Sequence, residues 1–248
     1  MRLTRVYVDS PLAPGARVSL PEHASAHLVR VLRLREGDAC VLFNGDGHDY
    51  AARLLATAKR GVEAEILEAH AVDRESPLRI VLLQGIARGE KMDLILQKAT
   101  ELGVAAIAPV FADRTEVRLE GDRLEKRMSH WRSVVVAACE QSGRARVPEL
   151  HPALGLAEAA AALADTALKL TLDPQGEYRF ETLPQPDGDT QRSGIAVGIG
   201  PEGGWSAKDR ELLRGHGFEG LRLGPRILRT ETAGLAAIAA LQAKFGDL

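Results

Sequence analysis

The chain has little of what marks a secreted, membrane-borne or metal-dependent protein. Its 248 residues include two cysteines, Cys40 and Cys139, which fall in separate segments and form no metal-ligand spacing. Reduced, buried thiols are the expected reading, rather than a disulfide or a zinc site. No apolar run approaches the roughly 20 residues that a membrane helix needs, and no N-terminal stretch has the basic, apolar and small-residue order of a signal peptide. A cytoplasmic location is therefore expected. There is no internal repeat, no low-complexity tract beyond the alanines of residues 157 to 167, and no overall basic excess: the formal net charge is −2. Nucleic-acid binders are usually basic, so any such role has to rest on where the charge sits.

The charge is unevenly placed. Residues 1 to 35 carry Arg2, Arg5, Arg17, Arg30, Arg33 and Arg35 against Asp9 and Glu22, a local excess of four. Residues 222 to 230 carry three arginines and no acid. Arginines outnumber lysines 25 to seven. That bias suits bidentate phosphate contacts and stacking on bases, although GC-rich coding produces it too.

Hydrophobic residues make up 45% of the chain, enough for one or two cores. Up to about residue 70 the pattern is β-like, with runs at 5–8, 39–43, 50–55 and 61–67 separated by turn signals such as Asn44-Gly45-Asp46-Gly47. A helical segment over 23–35 interrupts them, and a small β-barrel is expected. On that segment His23, His27 and Arg30 share a face, but no third ligand or HExxH context supports a metal, so packing or RNA contact is the reading. Residues 72–77 read as a linker. From residue 78 the alternation is βαβα, which predicts a parallel sheet. Its strands are expected at 78–84, 105–111, 167–172, 194–199 and 221–223. Helices are expected around Met92–Leu102 with Gly103 as the cap, up to Gly143, over 207–215, and at the alanine-rich C-terminus. Residues 174–192 read as a loop without chemistry.

Two loops stand out. Gly198-Ile199-Gly200-Pro201-Glu202-Gly203-Gly204-Trp205-Ser206 and Leu223-Gly224-Pro225-Arg226-Ile227-Leu228-Arg229-Thr230-Glu231 each follow an apolar strand and open into a helix. That is where α/β proteins set backbone against a ligand. Gly198, Gly200 and Gly203 formally satisfy a dinucleotide fingerprint, with Glu219 in reach as a ribose-binding acid. Against this, Pro201 stiffens the turn, and about fifty residues are too few to complete a Rossmann sheet. The glycines permit close backbone approach, and Leu172, Leu223, Ile227 and Leu228 supply apolar walls. Ser206 and Asp209 predict a capping box at the next helix.

The two loops resemble those of the SPOUT class of S-adenosylmethionine methyltransferases. GPEGG followed by LGPRILRTETA is similar, more narrowly, to the RsmE family, as are Gln97-Lys98-Ala99-Thr100-Glu101-Leu102-Gly103-Val104 and the approximate EQSxR of Glu140 to Arg144. The resemblance spans nearly the whole chain. It implies a trefoil-knotted α/β domain over residues 78–248 behind a PUA-like RNA-binding domain over 1–71. It further implies S-adenosylmethionine as cofactor, no metal, and methylation of N3 of a uridine in small-subunit (16S) ribosomal RNA. The cofactor residues implied are Leu172, Gly198, Gly200, Pro201, Glu202, Gly203, Leu223, Gly224, Arg226, Ile227 and Leu228.

Uridine N3 carries a proton, and its lone pair is delocalised into two carbonyls, so a base or an anion-stabilising environment is required. Glu231 and Glu202 are candidates for accepting the proton or complementing a sulfonium charge, and Arg229 or Arg226 for stabilising charge on O2 or O4. Arg2, Arg5, His27, Arg30, Arg33, Arg144 and Arg146 are the candidate RNA contacts. Ala233, Ala236, Ala237 and Ala240 line one face of the last helix. The resemblance implies a homodimer, with Glu140, Gln141 and Arg144 as contributions to the partner's site. Two alternatives stay open: a SPOUT enzyme acting on another rRNA or tRNA nucleotide, and a non-catalytic ribosome-assembly factor.

Overall fold

A computed structural model describes residues 3–55, 61–186 and 194–248, without the side chains of His23 and His27. Arg2, and the RNA contact expected of the His27 side chain, lie outside the described residues. The chain forms two compact units, one of residues 1–75 with 139–147, the other of 76–138 with 148–248.

The first unit is a curled mixed sheet that forms a half-barrel, the form taken by the small β-barrel expected there. Its strands are β1 (Arg5–Tyr7), β2 (Arg17–Ser19), β3 (Ala39–Phe43), β4 (His48–Leu54) and β5 (Glu63–Ala71), in the order β1-β3-β4-β5-β2. The Asn44-Gly45-Asp46-Gly47 turn connects β3 to β4, and both of its glycines have positive φ, 95° and 96°. Alternation along β4 and β5 turns Tyr50, Ala52, Leu54, Ala64 and Ile66 into a core with Leu28 and Leu42. β2 escapes the sequence pattern because it is three residues long with two exposed arms.

The helix expected over 23–35 ends early. It runs as α1 (Glu22–Ala26), continues as a π-turn over His27–Val31, and then gives way to Arg33 at φ +56°. Arg33 is the one described non-glycine residue with positive φ, a conformation that costs a side chain on the order of 1 kcal/mol. The strained turn leaves Val31 64% exposed among exposed Arg30, Leu32, Arg33 and Arg35.

Residues 139–147 belong to this unit although the sequence pattern places them in the second. Arg5, 8% exposed, is paired with Asp49, stacks 4.7 Å above the Phe43 ring and donates to the Arg144 carbonyl at 2.9 Å. Arg144, 5% exposed, is paired with Glu75, and the Tyr7 N–H donates to Glu140 Oε1 at 2.9 Å. Arg74 donates to the Gly143 carbonyl at 2.6 Å, and the Gly47 N–H to the Ala145 carbonyl at 3.2 Å. Arg5 and Arg144 are thus structural cations, not the phosphate contacts expected of them. Glu140 and Arg144 are likewise engaged within their own chain. Arg146 stays exposed, as does Gln141.

Among the described residues the second unit is a parallel sheet of eight strands. They are β6 (Ile80–Gly85), β7 (Ala106–Phe111), β8 (Glu149–Leu150), β9 (Leu154–Gly155), β10 (Leu168–Leu172), β11 (Tyr178–Arg179), β12 (Ile195–Ile199) and β13 (Glu219–Arg222). The order is β11-β13-β10-β12-β6-β7-β8, with β9 also on β7. The helices are α2 (Glu90–Glu101), α3 (Gly121–Ser142, whose last turn belongs to the first unit), α4 (Leu156–Ala161), α5 (Ala207–Gly215) and α6 (Thr230–Phe245).

β6 and β12 are buried along their whole length, as strands covered on both faces must be. Val81, Leu83, Ala108 and Ala196 pack with α4, Trp205 and Leu213 of α5, while Leu82 and Ile199 meet Gly234 of α6. Gly103, at φ +85°, terminates α2 as expected. Of the segment 174–192, read as a loop without chemistry, residues 187–192 lie outside the described residues; the rest holds β11 and a 3-10 turn over Phe180–Thr182, because Gly176 lies against the backbone of Gly220 and lets β11 pair with β13. Ala233 and Ala237 are buried in this unit's core. No described helix is long and apolar enough to cross a membrane, and no described His, Cys, Asp or Glu cluster could hold a metal.

The first unit yields a test of its arginines. Arg144→Ala leaves Glu75 as an unpaired, largely buried charge, so stability should fall by about 3 kcal/mol. Urea unfolding of the full chain, followed by hydrogen exchange at β1 and β3, checks this. Unchanged stability would return Arg144 to the surface cations.

Candidate cofactor site

Both glycine-rich loops leave the C-terminal edge of the parallel sheet. β12 ends at Ile199 and β13 at Arg222, and β10 ends between them at Leu172, followed by Asp173-Pro174. A cavity of about 340 Å³ opens there. This is the position that open α/β sheets reserve for ligands.

The first loop is shaped by contacts that only glycine permits. A Cβ on Gly85, the last residue of β6, would stand 2.5 Å from Pro201 N, and one on Gly200 would stand 2.9 Å from the Gly204 carbonyl carbon and from Trp205 N. The loop therefore lies backbone against backbone on the end of β6 and folds over itself. A tight turn with Gly204 N–H donating to the Pro201 carbonyl at 2.8 Å, and Gly204 at φ +65°, completes the fold-over. Gly203 is clasped from outside: Arg114 donates to its carbonyl at 3.0 Å and packs its own Cβ where a Gly203 side chain would begin. Trp205, the loop's anchor, is buried, and its indole N–H donates to Thr171 Oγ1 at 2.8 Å. The hydroxyl of Thr171 in turn donates to the Gly198 carbonyl at 3.2 Å. Ser206 and Asp209 form the expected capping box, with bonds of 3.1 and 3.0 Å.

The second loop turns at Gly224, φ +76°, and carries Arg226, Ile227, Leu228 and Arg229 to the cavity before α6 begins at Thr230. The Thr230 hydroxyl donates to the Gly200 carbonyl at 2.6 Å and ties the two loops together.

Of the eleven cofactor residues expected, ten line this cavity: Leu172, Gly200, Pro201, Glu202, Gly203, Leu223, Gly224, Arg226, Ile227 and Leu228. Gly198 does not. It lies inside β12, paired with Leu83 and Thr171, where a Cβ would make only ordinary contact with the Phe218 ring, 3.5 Å away. The dinucleotide fingerprint fails on the same residue, because its first glycine has to form the turn after the strand. Ile227 stands at the rim, 89% exposed. Sequence reasoning missed Asp173, Arg210, Leu221, Thr230 and Ala233, which also line the cavity. Asp173-Pro174 directly after a strand was the available signal for the first. Arg210 lies 3.7 Å from Asp173 and was hidden within an ordinary amphipathic helix.

Charge at the site is divided. Arg229, the N-terminal flanking residue of α6, and Arg226 are exposed at the cavity. Glu202 also lines it, but its carboxylate accepts from the Arg88 N–H at 3.0 Å and from Lys91 Nζ at 3.3 Å. Burial alone would raise the Glu202 pKa, yet these bonds and the lysine charge outweigh it and hold the carboxyl below its ordinary value. A carboxylate held in its charged form is a weak proton acceptor and a good fixed negative charge. Glu231 does not reach the cavity. It is half-buried in the first turn of α6, and its Oε2 is buried without a partner among the described residues.

The residues present fit a sulfonium nucleoside. Leucines 172, 221, 223 and 228 wall the cavity, glycine backbone bare of side chains forms its loops, and Glu202 offers a negative charge to a cationic centre.

Known proteins agree with this arrangement. A family model for an RNA methyltransferase domain matches residues 74–242, and one for an RNA methyltransferase PUA domain matches residues 20–67. The ribosomal RNA small subunit methyltransferase E of Buchnera aphidicola subsp. Schizaphis graminum is 33% identical over 100% of this chain and 98% of its own length. That of Bacillus subtilis is 32% identical over 87% of this chain and 85% of its own. The crystal structure of ribosomal RNA small subunit methyltransferase E from Neisseria gonorrhoeae, bound to S-adenosyl methionine, is 42% identical and superimposes with a TM-score of 0.92 over 99% of both chains. A protein of Legionella pneumophila with bound cofactor SAM is 39% identical, with a TM-score of 0.93 over the full length of both. With its SPOUT-type sheet and PUA-type companion, the chain belongs to the ribosomal RNA small subunit methyltransferase E family of RNA methyltransferases.

Proposed function

We propose that this protein transfers the methyl group of S-adenosylmethionine to N3 of a uridine in small-subunit (16S) ribosomal RNA. The observation that carries the reading is the cavity at the sheet's C-terminal edge, where two glycine loops and four leucines stand beside two exposed arginines. When bound, the cofactor supplies an electrophilic methyl on a positively charged sulfur. The S–CH3 bond breaks as the N3–CH3 bond forms, the sulfur is left as a neutral thioether, and the N3 proton leaves to solvent.

The chain's residues act on the nucleophile and on charge. Arg229, with Arg226 beside it in the loop, faces negative charge on O2 or O4 of the base and so favours the deprotonated imide, as an opposite charge favours any ionised form. Glu202 holds a negative charge near the sulfonium. Its bonds to Arg88 and Lys91 favour the charged form, which suits that role better than accepting the N3 proton, and Glu231 does not line the cavity. The leucine walls exclude water and hold the adenosyl and methionine parts in place.

N3 lies on the Watson–Crick edge, so the target uridine has to be unpaired or flipped when it reacts. RNA is gripped elsewhere, by the arginines that remain exposed: Arg30, Arg33 and Arg146. Val31 and Leu32, exposed between the first two, give that turn an apolar surface to set against an unstacked base. The active form is a homodimer in the cytoplasm, as the family resemblance implies.

Unmodified small ribosomal subunits incubated with the protein and isotopically labelled S-adenosylmethionine should yield labelled 3-methyluridine on nucleoside mass spectrometry. Label in another nucleoside would redirect the substrate, and no label despite cofactor binding would favour an assembly factor. Arg229→Ala should slow transfer by about 10²- to 10³-fold, as loss of one charge-stabilising donor does. Its melting temperature should stay within a degree or two, and equal losses of rate and stability would make Arg229 structural. Arg30→Ala with Arg33→Ala should weaken RNA binding and flatten its salt dependence by about 1.4 in the log–log slope, at about 0.7 per phosphate contact on single strands. Cofactor affinity should not change, and an unaltered salt slope would remove that turn from the RNA footprint.

A further inference from the structure

Gln84, the penultimate residue of β6, is fully buried behind the cofactor loops and does not line their cavity. Its side-chain N–H2 group donates both to the Gly85 carbonyl at 2.9 Å and to Thr230 Oγ1 at 3.0 Å. These two acceptors fix the orientation of the amide, since the flipped form would set its oxygen against the Gly85 carbonyl. Because Thr230 Oγ1 accepts from Gln84, its single proton is left for the Gly200 carbonyl, 2.6 Å away. A relay thus runs from the end of β6 through the first turn of α6 to the first residue of the glycine loop. Its hydroxyl is spent on the protein and has no donor left for a ligand.

The arrangement costs stability. Gln84 Oε1 is buried without a partner among the described residues, and the space beside it is occupied by Gly234, whose Cβ would lie 3.6 Å away. An apolar side chain of similar volume would pack there without an orphaned oxygen. A buried amide that keeps an orphaned oxygen while bonding the end of β6 and, through Thr230, reaching both ligand loops has the character of a residue kept for the site and not for the fold alone.

We infer that Gln84 is a positioning residue for the cofactor site: through Thr230 it sets the spacing between the two glycine loops in the form that binds the cofactor. The inference rests on the reading of the cavity as an S-adenosylmethionine site. Without the relay the fold stands, but the loops no longer hold one separation, and the binding-competent form becomes a fraction of the population.

The test separates binding from stability in the full-length chain. S-adenosylmethionine affinity is measured by titration calorimetry, and melting temperature without ligand by differential scanning calorimetry. Gln84→Met should weaken binding about five- to tenfold, the worth of a net buried hydrogen bond, while the melting temperature stays level or rises. Thr230→Val should weaken binding to a similar extent, and Thr230→Ser, which keeps the hydroxyl, should restore it. The double variant Gln84→Met with Thr230→Val should bind no worse than the weaker single one, because both break one relay. Wild-type affinity in Gln84→Met, additive losses in the double variant, or weakened binding matched by a lower melting temperature would each overturn the inference. A wild-type protein that binds no S-adenosylmethionine would overturn the reading of the cavity itself.

Discussion

The cofactor site depends on one close approach, that of Pro201 and Gly200 to the end of β6. Backbone meets backbone there because Gly85 has no side chain, and a single methyl group would stand 2.5 Å from Pro201 N. With the loop pressed onto the sheet, Gly200 is near enough for the Thr230 hydroxyl, and Glu202 is carried to the Arg88 N–H and Lys91. The glycines of the motif are therefore not interchangeable sources of flexibility. Gly85 and Gly200 are required for proximity and Gly204 and Gly224 for a left-handed turn, whereas Gly198, inside the sheet, would admit a Cβ at ordinary contact distance.

A second constraint acts on charge. The arginines of this chain look alike in sequence, yet burial divides them into two kinds. Arg5 and Arg144 are enclosed with Asp49, Glu75 and a backbone carbonyl, where removing either partner would strand a charge. Arg226 and Arg229 stand open at a cavity, and Arg30 and Arg33 on a strained turn, where long cations are mobile and available to phosphate or to a base. A net charge of −2 conceals this division. In the proposed function, what an RNA meets is set by the exposed cations, not by the sum of charges.

The parts of the structure legible in the sequence are those that local chemistry dictates. Ala39–Phe43 was delimited to the residue by flanking turn signals, and the helix read over about 207–215 is Ala207–Gly215, opened by the Ser206–Asp209 capping box. The cavity lining was legible too, because a glycine loop after an apolar strand has few other uses. What escaped depends on contacts distant in sequence. β2, β8, β9 and β11 are two or three residues long and exist only through their partners. Residues 139–147 join the first unit through Arg5, Tyr7 and Gly47, over 90 positions away, and no periodicity announces such a return. The helix of residues 23–35 failed for a different reason: its apolar spacing persists through Leu34, but the backbone reverses at Arg33.

The two acids of the loops show how one motif can carry residues of different use. Glu202 and Glu231 sit in the two most informative segments of the chain, and each is a carboxylate near a proposed reacting centre. A general base for an imide proton has to reach that proton and to have a pKa near the working pH. Glu231 does not line the cavity, and the bonds of Glu202 to Arg88 and Lys91 stabilise its charged form. In the proposed reaction the cations at the mouth are the means of activating N3: they lower the cost of ionising the base itself, so the proton can pass to water without a dedicated acceptor. Chemistry of that kind places its demand on the geometry of the loops that carry Arg226 and Arg229, and so on the contacts between Gly85, Gly200 and Thr230 that hold those loops in register.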